Sequence, residues 1–134
     1  KVLQVVQGTT ATTVDHSTSS YADTGLSASI TPSSSSNKVL VMIQQHCFFS
    51  GDNGGSIKLF RGSTEIYTPP QTYAISGDGL SLDFRNYHSF NYLDSPSSTS
   101  ALTFKTQART YNDVTFRTQP NGFTSFITLM EIAG

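Results

Sequence analysis

Three observations predict an all-β fold, a jelly-roll β-sandwich of two antiparallel sheets. No stretch of the 134 residues sustains the i, i+3, i+4 apolar stripe of a helix. Runs rich in β-branched and aromatic residues recur instead, and several alternate apolar with polar. In residues 101–111, for example, Leu102, Phe104, Thr106 and Ala108 alternate with Thr103, Lys105, Gln107 and Arg109. Clusters of Gly, Pro, Asn, Asp and Ser separate the runs at the spacing of a many-stranded sandwich.

Each element follows in order. Residues 2–6 form a short first strand, residues 9–14 a polar, β-branched edge, and residues 15–20 a loop. Residues 21–30 read as a bent strand pair around Thr24-Gly25, with Leu26, Ala28 and Ile30 on one face. Pro32 and four serines make residues 31–36 a surface loop. Residues 37–50 are the longest strand candidate, closed by a turn at residues 51–55 whose glycines suit positive φ. Residues 56–61 and 64–67 form a hairpin across Gly62-Ser63. Residues 68–79, with Pro69-Pro70 and Gly77-Asp78-Gly79, make the longest irregular segment. Strands resume over residues 82–93, 101–111, 114–118 and 124–133, with the last turn at Pro120-Asn121-Gly122. Asp94-Ser95-Pro96 predicts that residues 89–110 fold as one long hairpin at the centre of the sandwich.

Two strands carry apolar residues on both faces. Val39 to Ile43 is apolar throughout, and the last strand sets Ile127, Leu129 and Ala133 against Phe126, Met130 and Ile132. A sandwich strand that met water on one side would alternate. Something must cover the outer faces, and with no helices the simplest cover is another copy of the chain in closed cyclic symmetry. Leu40, Met42, Phe126 and Met130, joined by Phe104 and Tyr111, are the candidate interface residues.

The segments "KVLQVVQ", "ITPSSSSNKVLVMI", "IKLFRGSTEIY", "YLDSPSSTSALTFKTQART" and "ITLMEIA" stand in this order from residue 2 to residue 133. Together they resemble a β-sandwich domain of bacteriophage fibre and other virion-surface proteins, similar to the trimeric tumour-necrosis-factor and C1q heads. That resemblance implies a homotrimer on the virion surface, among other virion proteins, whose loops attach to a bacterial surface glycan or receptor. Capsid decoration, or a carbohydrate-binding module of a larger enzyme, are the alternative roles.

Composition fits a hydroxyl-rich surface of this kind. Charged residues are only 13% of the chain and the net charge is −1, with no basic patch to suggest nucleic acid. No apolar run reaches the length of a membrane span. The chain is read as a single domain over residues 1–134, and Lys1 in place of Met suggests the C-terminal part of a longer chain. The single Cys47 permits no intrachain disulfide.

No catalytic constellation is found, and no enzyme activity, cofactor or metal is expected. Asp15-His16-Ser17 holds triad residue types, but adjacent loop residues cannot form the relay. His46-Cys47 resembles half a thiol-nucleophile pair, yet successive strand residues face opposite ways, which puts Cys47 in the core phase of Val39, Val41 and Ile43. His88 shares a face with Phe84, Phe90 and Tyr92, without the spacing of a metal site. Asp52-Asn53-Gly54-Gly55 lacks the alternating carboxylates of a calcium loop. Binding is therefore expected in exposed loops, with Tyr67, Tyr73, Asp78, Asn112 and Asn121 as candidates. Glu131 is expected at an edge, or paired with Lys or Arg.

Overall fold

The thirteen-residue strand predicted as the longest becomes the axis of the larger sheet. In the computed structural model, which describes residues 1–74 and 82–134, eleven strands are assigned. They are β1 (Val2–Thr10), β2 (Val14–His16), β3 (Ala22–Ile30), β4 (Lys38–Ser50), β5 (Gly54–Arg61), β6 (Thr64–Tyr67), β7 (Thr72–Tyr73), β8 (Asp83–Asp94), β9 (Leu102–Thr110), β10 (Phe116–Thr118) and β11 (Ser125–Ile132). β8 pairs along one side of β4. The other side is shared end to end by β11 and β10, which pair in turn with β1 and β2. The smaller sheet runs β3-β9-β5, with β6 and β7 sharing the far side of β5. All pairings are antiparallel. The all-β sandwich of two antiparallel sheets is thus what folds.

Alternation decides what lies between the sheets. Val39, Val41, Ile43 and Cys47 point inward from β4, Ile127 and Leu129 from β11, and Leu26, Ala28 and Ile30 from β3, all buried as their phase requires. The core falls into two apolar clusters, one around Val41, Leu59, Phe104 and Leu129, the other around Cys47, Phe49, Ile57 and Phe116. Between them runs a buried polar seam. Gln45 Nε2 donates to Gln119 Oε1 at 2.5 Å, Thr106 Oγ1 donates to Gln45 Oε1 at 2.6 Å, and Thr24 and Thr106 share a hydroxyl bond of 2.6 Å. The seam crosses from β4 to β9 and β3, so it ties one sheet to the other.

Two local expectations are corrected. Residues 89–110 are no hairpin: β8 lies in the larger sheet and β9 in the smaller, and Asp94-Ser95-Pro96 carries the chain across. The Asp94 carboxylate is buried there against Arg61 of β5, 2.5 Å away. Its turn chemistry reverses the chain but does not name the strand it returns to. Residues 21–30 form one strand, not a pair, with a bulge between Asp23 and Ser27 where Gly25 has φ 84°. The bulge lets Thr24 turn inward to the seam.

The turn at residues 51–55 needs its glycines for different reasons. Gly51 has φ 68°, as expected of a turn. Gly55 is already in β5, and a Cβ there would stand 2.4 Å from the ring of the buried Phe116. Gly55→Ala should therefore destabilise the domain by about 1–3 kcal/mol through overpacking, measurable as a lower midpoint in urea.

Glu131 is buried and, among the described residues, meets no Lys or Arg, which corrects the expected pairing. Asn37 Nδ2 (2.6 Å), Ser33 N (2.6 Å) and Ser33 Oγ (2.7 Å) donate to its Oε1, and Gln4 Nε2 (2.6 Å) donates to its Oε2. These neutral donors, Asn37 foremost and then Gln4 and Ser33, hold its pKa down to about 2 from the ordinary 4.5. A folded-state pKa below the unfolded one stabilises fully above the unfolded value and is lost as pH falls through the folded one. Wild type should thus lose thermal stability as pH drops from about 4.5 to about 2. Glu131→Gln should melt several degrees lower at pH 7, and the gap should close at the acid end of that range.

Candidate functional site

Pairing register turns the doubly apolar strands into a surface. On the outer face of the larger sheet Val5, Met130, Leu40 and Leu93 lie side by side in one row across β1, β11, β4 and β8. Gln7, Thr128, Met42 and Asn91 form the next row, and Thr9, Phe126, Gln44 and Ser89 the one after. Further along, His46 packs edge-on to Tyr87 (4.8 Å) and tilted against Phe123 (5.0 Å). The far end is polar, where Arg117 pairs with Asp15 through both of its carboxylate oxygens. Val5, Tyr87, Leu93 and Phe123 remain about half exposed, at 49–56%. His46 is held below its ordinary pKa, chiefly by desolvation and secondarily by Arg85.

The outer face of the smaller sheet is its opposite in character. Asp23, Ser27, Ser29, Thr103, Lys105, Gln107, Lys58 and Glu65 occupy it around a single half-buried Phe60, with ion pairs at Lys58–Glu65 (2.6 Å) and Lys105–Asp23 (2.9 Å). One side of the sandwich is built for water. The other carries an apolar stretch on a sheet face, of the kind that marks interaction surfaces.

Of the six residues named for an interface, four lie on this apolar face: Leu40, Met42, Phe126 and Met130. Phe104 does not. It is fully buried between the sheets, because the alternation that puts Lys105 outside turns residue 104 inward. Tyr111 does not either, since it follows β9 at the end of the smaller sheet and is exposed there. Val5 and Leu93 were missed, because their membership of the row depends on which strands flank β4 and β11.

The loop candidates separate as well. Tyr67 belongs to β6 and stacks on Tyr92 at 5.2 Å, sealing the sandwich edge instead of standing out from it. Asn121 is exposed in a 3-10 turn (Pro120–Gly122) between β10 and β11, beside the apolar face. Asp78 lies outside the described residues. Tyr73 and Asn112 come together with Tyr111, which makes them the informative pair.

These three line an open cleft of about 320 Å³ with Asp52, Asn53 and Ala74. The rings of Tyr73 and Tyr111 are nearly parallel, 17° apart with centroids at 6.3 Å, and 60% and 53% exposed. Asn53, only 2% exposed, braces the floor. Its Nδ2 donates to Val114 O (2.9 Å), while its own carbonyl accepts from Ala74 N (2.9 Å). Tyr111 N donates to Gly54 O (3.0 Å) and Asn112 Nδ2 to Asp52 O (3.1 Å), so the β4–β5 and β9–β10 turns form one unit. The cleft sits past Ser50, the end of β4 opposite Lys38. At the Lys38 end the chain termini meet, where Ala133 N donates to Lys1 O at 2.9 Å.

Elsewhere the chemistry is quiet. Burial pushes the Cys47 thiol up to about 12, which removes it as a nucleophile at neutral pH. His16 is buried and held below its ordinary pKa by desolvation, and its Nε2 lies 3.3 Å from Thr118 Oγ1 as part of the core. Among the described residues no group of three or more His, Cys, Asp or Glu could hold a metal, and no helix is long and apolar enough to cross a membrane. Compared with protein-family models and with curated proteins, the chain matches none.

Proposed function

We propose that this chain is a non-enzymatic virion-surface module of the phage-fibre type. It assembles as a homotrimer through the outer face of its larger sheet and meets bacterial surface glycan at its loop end. The observation that carries this reading is the row Val5-Met130-Leu40-Leu93, apolar across four strands on a sheet face that no other described residues cover. Burying such a row removes apolar surface from water at about 25 cal/mol per Å², and a second copy supplies a matching surface at every contact. The strand order supports a jelly roll: β1, β11, β4 and β8 neighbour one another in one sheet, and β3, β9, β5 and β6 in the other. The resemblance to fibre heads is what sets the copy number at three.

Light scattering on a size-exclusion column tests the assembly, with three times the 14.5 kDa chain mass expected. Adsorption tests the role. A virion stripped of this domain should lose host attachment, and one that adsorbs normally without it overturns the reading. The Tyr73–Tyr111 cleft favours a second reading, a carbohydrate-binding module of a larger enzyme, which predicts a stable monomer instead.

A further inference from the structure

We infer that the cleft between the β4–β5 and β9–β10 turns is a subsite for a neutral sugar ring. The inference rests on the attachment reading above and names the ligand class of its loop end.

A pyranose offers a flat face of C–H bonds and a rim of hydroxyls. It therefore needs an aromatic plane beneath it and fixed polar groups around it, the mixture typical of small-ligand clefts. Tyr73 and Tyr111 supply two nearly parallel planes, each more than half exposed. Exposed tyrosines are common singly. A pair of them aligned within one cleft, Tyr73 on β7 paired to Gly54 and Tyr111 bonded through its backbone N to Gly54 O, is a platform whose backbone has little freedom left to lose on binding.

The polar rim is set in the same way. Asn112 is tethered through Nδ2 to Asp52 O, which leaves its Oδ1 as a positioned acceptor for a sugar hydroxyl. Asn53 is consumed by its bonds to Val114 and serves as scaffold. Gly54 keeps Tyr73 in place by size, for a Cβ there would stand 2.5 Å from the Tyr73 Cβ.

Charge selects the class of sugar. Among the described residues that line the cleft there is no Lys or Arg. A uronate, sialate or phosphosugar would bring a negative charge that no cation among these described lining residues meets. A small organic cation would want aromatic walls on several sides, whereas the described lining supplies two aromatic rings, Tyr73 and Tyr111.

The test uses monovalent probes, so that intrinsic affinity is read whatever the oligomeric state. Saturation-transfer NMR and calorimetry would be run on the full chain with a panel of neutral and acidic oligosaccharides taken from bacterial surface polysaccharides. At least one neutral probe should bind, and the acidic ones more weakly. Tyr111→Ala should weaken that binding about tenfold or more with the circular dichroism spectrum and melting point unchanged. Asn121→Ala, at the other turn, should leave it as it was. Gly54→Ala, which displaces Tyr73, should weaken binding as Tyr111→Ala does. Neutral binding indifferent to Tyr111, stronger binding of the acidic probes, or no binding by any probe overturns the proposal. A trimer with a silent cleft removes only this inference. A monomer that binds neutral sugars through Tyr111 removes the fibre reading and keeps the cleft.

Discussion

Met130→Arg is expected to convert the proposed trimer into a folded monomer, with a mass in solution of 14.5 kDa where the proposal puts wild type at three times that. Met130 is half-buried on the outer face of the larger sheet, between Val5 and Leu40 in the apolar row. In an isolated chain an Arg at this site can lay its stem along the sheet and keep its guanidinium in water. At an interface the same charge is desolvated without a partner, which costs about 3–5 kcal/mol where a buried charge is left unpaired. Three copies incur that cost three times. Thr103→Arg, on the hydrated face of the smaller sheet, is the control and should leave the mass unchanged. A Met130→Arg protein that keeps the wild-type mass would show that this face is not where the copies meet.

The second large effect concerns the polar seam. Gln119→Ala should cost about 3–5 kcal/mol, a large share of the 5–15 kcal/mol that holds a domain of this kind folded. Gln119 is fully buried, in a left-handed conformation at φ 50°. Its Oε1 accepts from Gln45 Nε2 (2.5 Å) and Ser125 Oγ (2.9 Å). Its Nε2 donates to Thr24 O (2.8 Å) and Thr12 O (3.0 Å). Removing the amide strands two donors and the Thr24 carbonyl in the interior, with the Thr12 carbonyl at the surface, and each unmet buried group carries a desolvation penalty of about 1–3 kcal/mol, with water able to recover part of it. Urea unfolding measures the loss. A change below about 1 kcal/mol would show that the seam contributes little. Thr106→Val should reveal the coupling, since in the Gln119→Ala background it should cost less than it does alone.

Comparison of particular residues shows where local reasoning holds. The phases of β4 and β9 placed Cys47 inward and Lys105 outward, and both lie so. Phe104, counted for the interface, obeys that same alternation and is buried between the sheets. Gln45 shared the inward phase of Val41 and Ile43, a signal that a polar side chain would need partners in the core, but those partners came from β9 and the segment after β10. The cleft was half legible: Tyr73 and Asn112 stood out as loop residues, while Asn53 looked like a thin metal ligand and turned out to be the brace.

The sequence by itself determined that the chain folds as antiparallel strands, which way the side chains of the long ones face, and the excess of apolar residues on the outer face of the larger sheet. Those properties follow from a side-chain period of two, which any single strand displays without its neighbours. Tertiary structure alone decided that β8 and β9 part into different sheets, that Val5 and Leu93 complete the apolar row, and that Tyr73 meets Tyr111. The backbone ladder that joins strands is nearly the same for every residue type, so a strand's sequence says which way its side chains point and far less about which strand lies beside it.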